Sequence, residues 1–266
     1  MDLVCEETKS HISQTKLVVV IDECFQTWVQ FPPSPPRYDD LVSVFLDFLV
    51  DFFWPKFCVV CDKEGSFLCQ KCKKNLPSAL QVCPMCTRPN LYGSTHEICY
   101  TDEGLDGLLA VFDYKNNGVK KIVEGIKYGF NSELVEIVLK GWKYPKKRGD
   151  ELVFVPVPLH RYRENWRGFN QAELLANKFA GKKAKVEKIL KRIRATKQQA
   201  SMESKKERQL NVKNSFVVDN NWEEKVEGKK IVLVDDVYTT GTTMKECAKV
   251  LKGRGAKEVW GLVLAR

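Results

Sequence analysis

The second half of the chain alternates between two hydrophobic periods. Leu108 to Tyr114, Leu152 to Val157, Lys230 to Val234 and Glu258 to Leu264 are short apolar runs with the length and composition of buried strands. Val119 to Lys127, Ser132 to Trp142, Gln171 to Phe179 and Thr243 to Gly253 place their apolar residues at helical spacing instead. Strands alternating with helices predict an α/β domain over residues 105–266, with a mostly parallel sheet covered on both faces. Upstream the pattern thins. Residues 1–31 hold one strand-like run, Leu17 to Ile21, before Pro32-Pro33-Ser34-Pro35-Pro36 forms a stiff, extended linker. Leu41, Phe45, Phe48, Leu49 and Phe52 then recur as one face of a short helix ending at Pro55. Between residues 58 and 102 apolar side chains are few and cysteines many, so this stretch cannot fold on a core of its own and needs a staple.

The most informative segment runs from Ile231 to Thr243. A buried strand leads into two adjacent carboxylates, Asp235 and Asp236, then into Thr239-Thr240-Gly241-Thr242-Thr243, then into a helix. In an open α/β sheet ligands bind beyond the carboxyl ends of the strands, which puts both carboxylates at the site. A Thr/Gly loop at a helix N-terminus offers backbone N–H groups, hydroxyls and the positive end of the helix dipole to a phosphate. Two carboxylates beside such a loop would repel a bare polyanion, so they make sense as acceptors for sugar hydroxyls or as holders of Mg²⁺. No G-x4-G-K-[ST] motif is present here. The segment resembles the phosphoribosyl pyrophosphate motif of type I phosphoribosyltransferases. That resemblance implies that Asp235 and Asp236 hold the ribose 2- and 3-hydroxyls, close to the carbon where positive charge develops, and that Thr239 to Thr243 hold the 5-phosphate.

Two further stretches fit around such a ligand. Phe154-Val155-Pro156-Val157-Pro158 is a strand entering a rigid turn, followed by His160, Arg161, Arg163 and Arg167, a loop suited to a diphosphate. In Arg167-Gly168-Phe169-Asn170-Gln171, Asn170 can cap the next helix, which leaves Arg167 and Gln171 to be explained. Arg192, Arg194, Thr196, Gln199, Arg208 and Asn211 lie in a long polar stretch that reads as a lid closing over the substrate to exclude water.

Of ten cysteines, six fall in Cys-x2-Cys pairs, which in a reducing compartment point to metal rather than to disulfides. Cys58-x2-Cys61-x7-Cys69-x2-Cys72 has the spacing of a structural zinc ribbon with four thiolate ligands. Cys83-x2-Cys86 with Cys99 lacks a fourth cysteine; Asp102 or His96 could complete the tetrahedron, or the second site is degenerate. With all ligands supplied by protein, neither set reads as catalytic. Cys5, Cys24 and Cys247 have no partner spacing.

The net charge of +9 is unevenly spread: residues 140–213 carry 21 Lys/Arg against 7 Asp/Glu, a local +14, so the remainder sums to −5. That stretch suits a polyanion, a pyrophosphorylated sugar, a nucleic acid or both, although part of it reads equally as a solvated helical face. The longest apolar segment, Leu41 to Trp54, is short and carries Asp47 and Asp51, and no secretory signal is visible, so a cytoplasmic protein is expected.

Taken together, the Cys-x2-Cys pairs, Pro156-Val157-Pro158-Leu159, Arg167-Gly168-Phe169-Asn170-Gln171, Thr196-x2-Gln199, Arg208-x2-Asn211 and the Asp-Asp-Val-x-Thr-Thr-Gly-x-Thr segment resemble the ComF family of competence proteins and their GntX-like relatives. The resemblance covers about Val44 to Arg266. It implies a phosphoribosyltransferase-type α/β domain preceded by a small zinc-ribbon module, with structural Zn²⁺, Mg²⁺ accompanying phosphoribosyl pyrophosphate, and a role in handling transforming DNA. Relatives carry a further Cys-x2-Cys at the end of the module, and Asp102 stands where its last cysteine would be. The organisation expected is thus an extension or upstream start over 1–41, a short helix plus zinc ribbon over 42–104, and the phosphoribosyltransferase domain over 105–266. Three functions remain open: a ComF-type transferase working beside single-stranded DNA and the uptake machinery, a nucleobase-salvage transferase, or a non-enzymatic module that senses the ligand or binds DNA.

Overall fold

The structure, a computed structural model, describes residues 55–128, 132–145, 151–194 and 214–266. The expected strand at Leu17 to Ile21, the proline linker and the helix at Leu41 to Phe53 lie outside the described residues, as do Thr196, Gln199, Arg208 and Asn211 of the expected lid. Lys56–Arg266 form one compact unit.

Five parallel strands make the central sheet: β1 (Gly107–Phe112), β2 (Leu152–Pro156), β3 (Lys185–Val186), β6 (Lys230–Val237) and β7 (Glu258–Ala265), in the order β1-β7-β6-β2-β3. A two-stranded antiparallel ribbon, β4 (Leu190–Arg192) with β5 (Phe216–Val218), lies beside it. Helices cover both faces, as parallel strands buried on two sides require. On one face α2 (Asn117–Tyr128), α3 (Ser132–Val138) and α5 (Gln171–Ala180) pack Ile122, Leu134 and Leu175 onto Val232, Val234 and Leu262. On the other, α6 (Thr242–Lys252) and the β4–β5 ribbon pack Met244, Cys247, Leu190 and Phe216 onto Ile231, Leu233 and Val263. Among the described residues no helix is long and apolar enough to cross a membrane.

Three elements differ from expectation. β6 does not stop at Val234 but carries Asp235 and Asp236 within it, because β7 continues alongside and pairs Asp235 with Val263 and Val237 with Ala265. α3 ends at Val138, and Trp142, expected to be helical, instead turns its indole edge-on to Phe179 at 4.7 Å. The segment after Pro158 is not a loop but α4 (Arg161–Arg167). His160 caps its start by accepting the Tyr162 N–H at 3.3 Å, and Gly168, in the left-handed region at φ 76°, ends it.

The cysteine-rich module is built twice on one plan. In the first ribbon Cys58 N–H donates to Lys63 O and Asp62 N–H to Cys58 O; in the second Cys83 N–H donates to Arg88 O and Thr87 N–H to Cys83 O. Asp62 and Thr87, each four residues past its first cysteine, both take positive φ, 59° and 63°. Each ribbon then closes with a short helical turn, α1 (Gln70–Lys74) capped by the Cys69 sulfur, and a 3-10 turn over Glu97–Cys99 that follows His96. Cys58 and Leu68 join the core beneath α2, where Lys121 Nζ donates to Val60 O at 3.0 Å.

Candidate ligand cleft and metal centres

Successive residues of a strand face opposite sides of a sheet, so Asp235 and Asp236 turn to different neighbours. Asp236, 6% exposed, faces the α2/α5 side. Its Oδ1 lies 3.2 Å from Lys127 Nζ at the end of α2, and its Oδ2 accepts from Gln171 Nε2 at 2.8 Å in the first turn of α5. Gln171 is oriented in turn by Arg167 Nη1, which donates to Oε1 at 3.0 Å while its guanidinium lies 5.1 Å from the Tyr128 ring. Burial works against the Lys127 ammonium, but Asp236 and then Asp235 outweigh it and hold its pKa above the usual value. Four residues of the Arg-Gly-Phe-Asn-Gln sequence are thereby accounted for. Gly168 ends α4, and Asn170 caps α5 by accepting the Ala172 N–H and ties it to the end of β2 by donating to Val157 O; Gln171 reaches the carboxylate and Arg167 holds Gln171.

Asp235 faces the α6/β4 side, half-buried, with Oδ1 accepting the Asp236 N–H at 2.8 Å. Burial, with the Asp236 charge second, pushes its carboxyl up to about 7, against the lowering influence of that N–H, Lys127 and Arg192.

Beyond Val237 the chain turns into the phosphate-type loop. Thr239 is exposed on the cleft, Thr240 and Thr242 exchange a hydroxyl hydrogen bond at 2.9 Å, and Gly241 takes the left-handed backbone, φ 72°, that starts α6. No side-chain hydrogen bond caps α6, unlike α5, and the positive end of its dipole lies at the cleft, where it favours an anion. The cleft holds about 360 Å³ and is lined by both carboxylates, by Thr239, Gly241, Thr242 and Thr243, and by three cations, Lys127, Arg167 and Arg192. Arg167 Nε is buried there with no hydrogen-bond partner among the described residues, which suits an incoming anion.

Of the residues expected from sequence, Asp235, Asp236, Thr239, Gly241, Thr242, Thr243 and Arg167 line this one cleft, and Thr240 braces the loop from within. Val157, Pro158 and Leu159 of the expected diphosphate loop line it too, whereas His160 is spent on capping α4. Sequence reasoning missed Lys127, which differs in no local way from Lys120 and Lys121, both exposed on the same helix. It also missed the placing of Tyr114 and Tyr128 at the cleft.

Each ribbon gathers four metal-ligand atoms within 4.8 Å of one another: Cys58, Cys61, Cys69 and Cys72 in the first, Cys83, Cys86, His96 and Cys99 in the second. Four thiolates about 2.3 Å from a zinc ion make a tetrahedron with edges of about 3.8 Å. Cys61 Sγ and Cys69 Sγ are 3.8 Å apart, and Cys86 Sγ is 3.4 Å from His96 Nδ1. The sulfurs are prepared for a cation. Burial opposes ionisation of Cys58 and Cys83, yet backbone N–H donors from Cys69, Cys61 and Val60 in one ribbon, and from Cys86, His96 and Met85 in the other, bring each down to about 6. Burial and the neighbouring sulfurs push Cys72 up to about 12 and Cys99 up to about 11, a repulsion that a bound Zn²⁺ would relieve. The fourth member of the second group is His96, one of the two completions that the sequence left open, while Asp102, the other, is exposed and outside the group. The two-residue spacing runs from His96 forward to Cys99, as from Cys83 to Cys86, rather than from Cys99 to residue 102. Both sets are closed, with four protein ligands, as structural sites are.

Comparison with known proteins agrees with both halves. Residues 49–101 match the double zinc ribbon domain and residues 166–266 the phosphoribosyl transferase domain. The chain is 30% identical over 236 residues to competence protein ComFC of Bacillus subtilis, covering 74% of this chain and 89% of that protein. It is 38% identical over 115 residues to competence protein F of Haemophilus influenzae, covering 42% and 49% respectively. To the DNA utilization protein YhgH of Escherichia coli it is 29% identical over 211 residues, covering 73% and 89%.

Two outcomes follow from this geometry. Elemental analysis of the purified protein should give two Zn²⁺ per chain, falling to one in His96→Ala and staying at two in Asp102→Ala; loss of a metal in Asp102→Ala alone would reverse the assignment. In ligand-free, magnesium-free buffer, the raised Asp235 pKa means that the folded protein keeps a proton the unfolded chain releases near pH 4. Stability from that proton is full at low pH and is lost as pH rises through about 7. Asp235→Asn should therefore melt higher than the wild type at pH 8, with the difference shrinking towards pH 5; a difference independent of pH would contradict the assignment.

Proposed function

We propose that this chain, which belongs to the ComF family, binds phosphoribosyl pyrophosphate with Mg²⁺ in the cleft at the end of β6 and serves in the uptake or use of DNA. The observation that carries the reading is the start of α6, uncapped by any side chain, one short loop after a pair of carboxylates, Asp236 buried and Asp235 half-buried. A ligand that answers both must join a phosphate to vicinal hydroxyls, as ribose 5-phosphate does. In this reading the N–H groups and hydroxyls of Thr239 to Thr243 take the 5-phosphate, and Asp235 and Asp236 accept from the 2- and 3-hydroxyls. Arg167, Lys127 and Arg192 face the diphosphate, whose charge Mg²⁺ would help to neutralise.

Transfer in such a cleft breaks the bond from C1 to diphosphate, which leaves with the electron pair while the acceptor forms its bond to C1. Among the described residues lining the cleft there is neither a histidine nor a glutamate to act as a base. Catalysis would rest on position and charge, with the two aspartates near the developing cation. The names of the relatives, competence and DNA utilization proteins, support a role with DNA over nucleobase salvage.

A second activity, contact with single-stranded DNA, has its own support. Tyr162 and Trp166 stand one helical turn apart on α4, 76% and 69% exposed, with Arg161 beside them. Trp166 meets Tyr128, a cleft residue, edge-on at 6.4 Å. Exposed aromatics among basic residues are how single strands are held by stacking, worth roughly 1–3 kcal/mol per base.

Calorimetry tests the main reading: magnesium-dependent binding of phosphoribosyl pyrophosphate to the wild type, abolished in Asp235→Ala/Asp236→Ala and weakened about tenfold or more in Lys127→Ala. A wild type that binds nothing would end it. For the DNA reading, Trp166→Ala with Tyr162→Ala should weaken binding of an oligothymidylate at least tenfold while leaving the salt slope nearly unchanged, since stacking is lost and phosphate contacts are kept. Unaltered affinity would remove α4 from the account.

A further inference from the structure

Tyr238 stands between the carboxylate pair and the Thr/Gly loop, and it points away from solvent. Only 3% exposed, its hydroxyl donates to Pro84 O at 2.8 Å, a bond joining positions 154 residues apart. Pro84 is the residue after Cys83, inside the turn whose N–H groups hold the Cys83 sulfur. The same phenol fills the space where a side chain at residue 241 would lie. A Cβ on Gly241 would come within 2.0 Å of the Tyr238 oxygen and 2.1 Å of its Cζ. The Tyr238 N–H donates to Ala265 O of β7 at 3.0 Å, which holds the backbone from which the ring projects. Burial pushes the phenol pKa up, which keeps it a neutral donor. Gly241 is where the backbone turns to start α6, so its position sets where the helix N-terminus aims.

We propose that the second metal ribbon positions the anion-binding loop through Tyr238, a strut between Pro84 and Gly241, so that occupancy of the Cys83, Cys86, His96 and Cys99 site and occupancy of the cleft favour one another. The proposal rests on the phosphate reading of the loop and adds a purpose for the ribbon beyond holding itself together. Tyr238 is a positioning residue: its hydroxyl faces the ribbon rather than the ligand. Without metal the Cys83–Cys86 turn loses its anchor, Pro84 O drifts, and Gly241 is no longer backed.

A double-mutant cycle read by calorimetry with ribose 5-phosphate separates this from a merely structural role. Tyr238→Phe keeps the ring and loses the hydroxyl that links Pro84 to Gly241, and His96→Ala removes the metal. Each should weaken ribose 5-phosphate about tenfold, and the pair together no more than either alone. Should His96→Ala fail to fold, zinc transfer from wild type and Tyr238→Phe to a colorimetric chelator gives the reciprocal reading required by linkage. Ribose 5-phosphate should slow release of one of the two zinc ions in the wild type and of neither in Tyr238→Phe. Additive losses, an unchanged affinity in Tyr238→Phe, or zinc release indifferent to ligand in the wild type would each overturn the coupling while leaving the cleft's ligand standing. If the wild type binds neither ribose 5-phosphate nor phosphoribosyl pyrophosphate, both readings fall.

Discussion

The buried Asp236 carboxylate, gripped by the Lys127 ammonium and the Gln171 amide, is the contact on which the rest of the cleft depends. A carboxylate removed from water in a sheet is costly unless paired and hydrogen-bonded, and here the partners come from the last turn of α2 and the first turn of α5. Satisfying one charge therefore brings two helices to the end of β6. Gln171 then needs Arg167 to hold its oxygen, and Arg167 needs the Tyr128 face for its guanidinium, so the demand spreads outward until it has built one wall of the site. The opposite wall follows from the two-residue strand period, which turns Asp235 to the other face, towards Arg192 and α6.

The metal module answers a different constraint. Residues 56 to about 104 have little apolar area of their own, and each ribbon is shaped by backbone N–H groups pointing at sulfur rather than by side-chain burial. Its duplicated plan nevertheless serves two places on the α/β unit. The first ribbon packs against α2, the helix whose last turn carries Lys127, and the second reaches Tyr238 beside the anion loop. Both ribbons thus touch elements that carry cleft residues, which is an economical use for a module with no open coordination position.

Legibility in the sequence followed how local each feature is. The strands were readable because a parallel sheet covered on both faces demands unbroken apolar runs, and the segment from Asp235 to Thr243 was readable because all its chemistry lies within nine consecutive residues. Lys127 was not, since only the distant Asp236 distinguishes it from other lysines of α2. Nor was the end of β6 visible: aspartates are poor strand residues, and it is the pairing with β7 that keeps them in the sheet. α4 was hidden behind two prolines and a cluster of arginines that read as a loop, its helical start depending on a histidine cap outside the usual set. In the second ribbon the sequence left Asp102 and His96 as alternatives, because spacing alone does not say which side chain folds back, and it is His96 that lies with the sulfurs.

Hydrogen exchange across the start of α6 examines the core of the account most directly. With phosphoribosyl pyrophosphate and Mg²⁺ added, the amides of Thr239 to Met244 should exchange markedly more slowly in the wild type and at an unchanged rate in Asp235→Ala/Asp236→Ala. Protection confined to other segments, with these amides exchanging as before while the ligand is demonstrably bound, would contradict it.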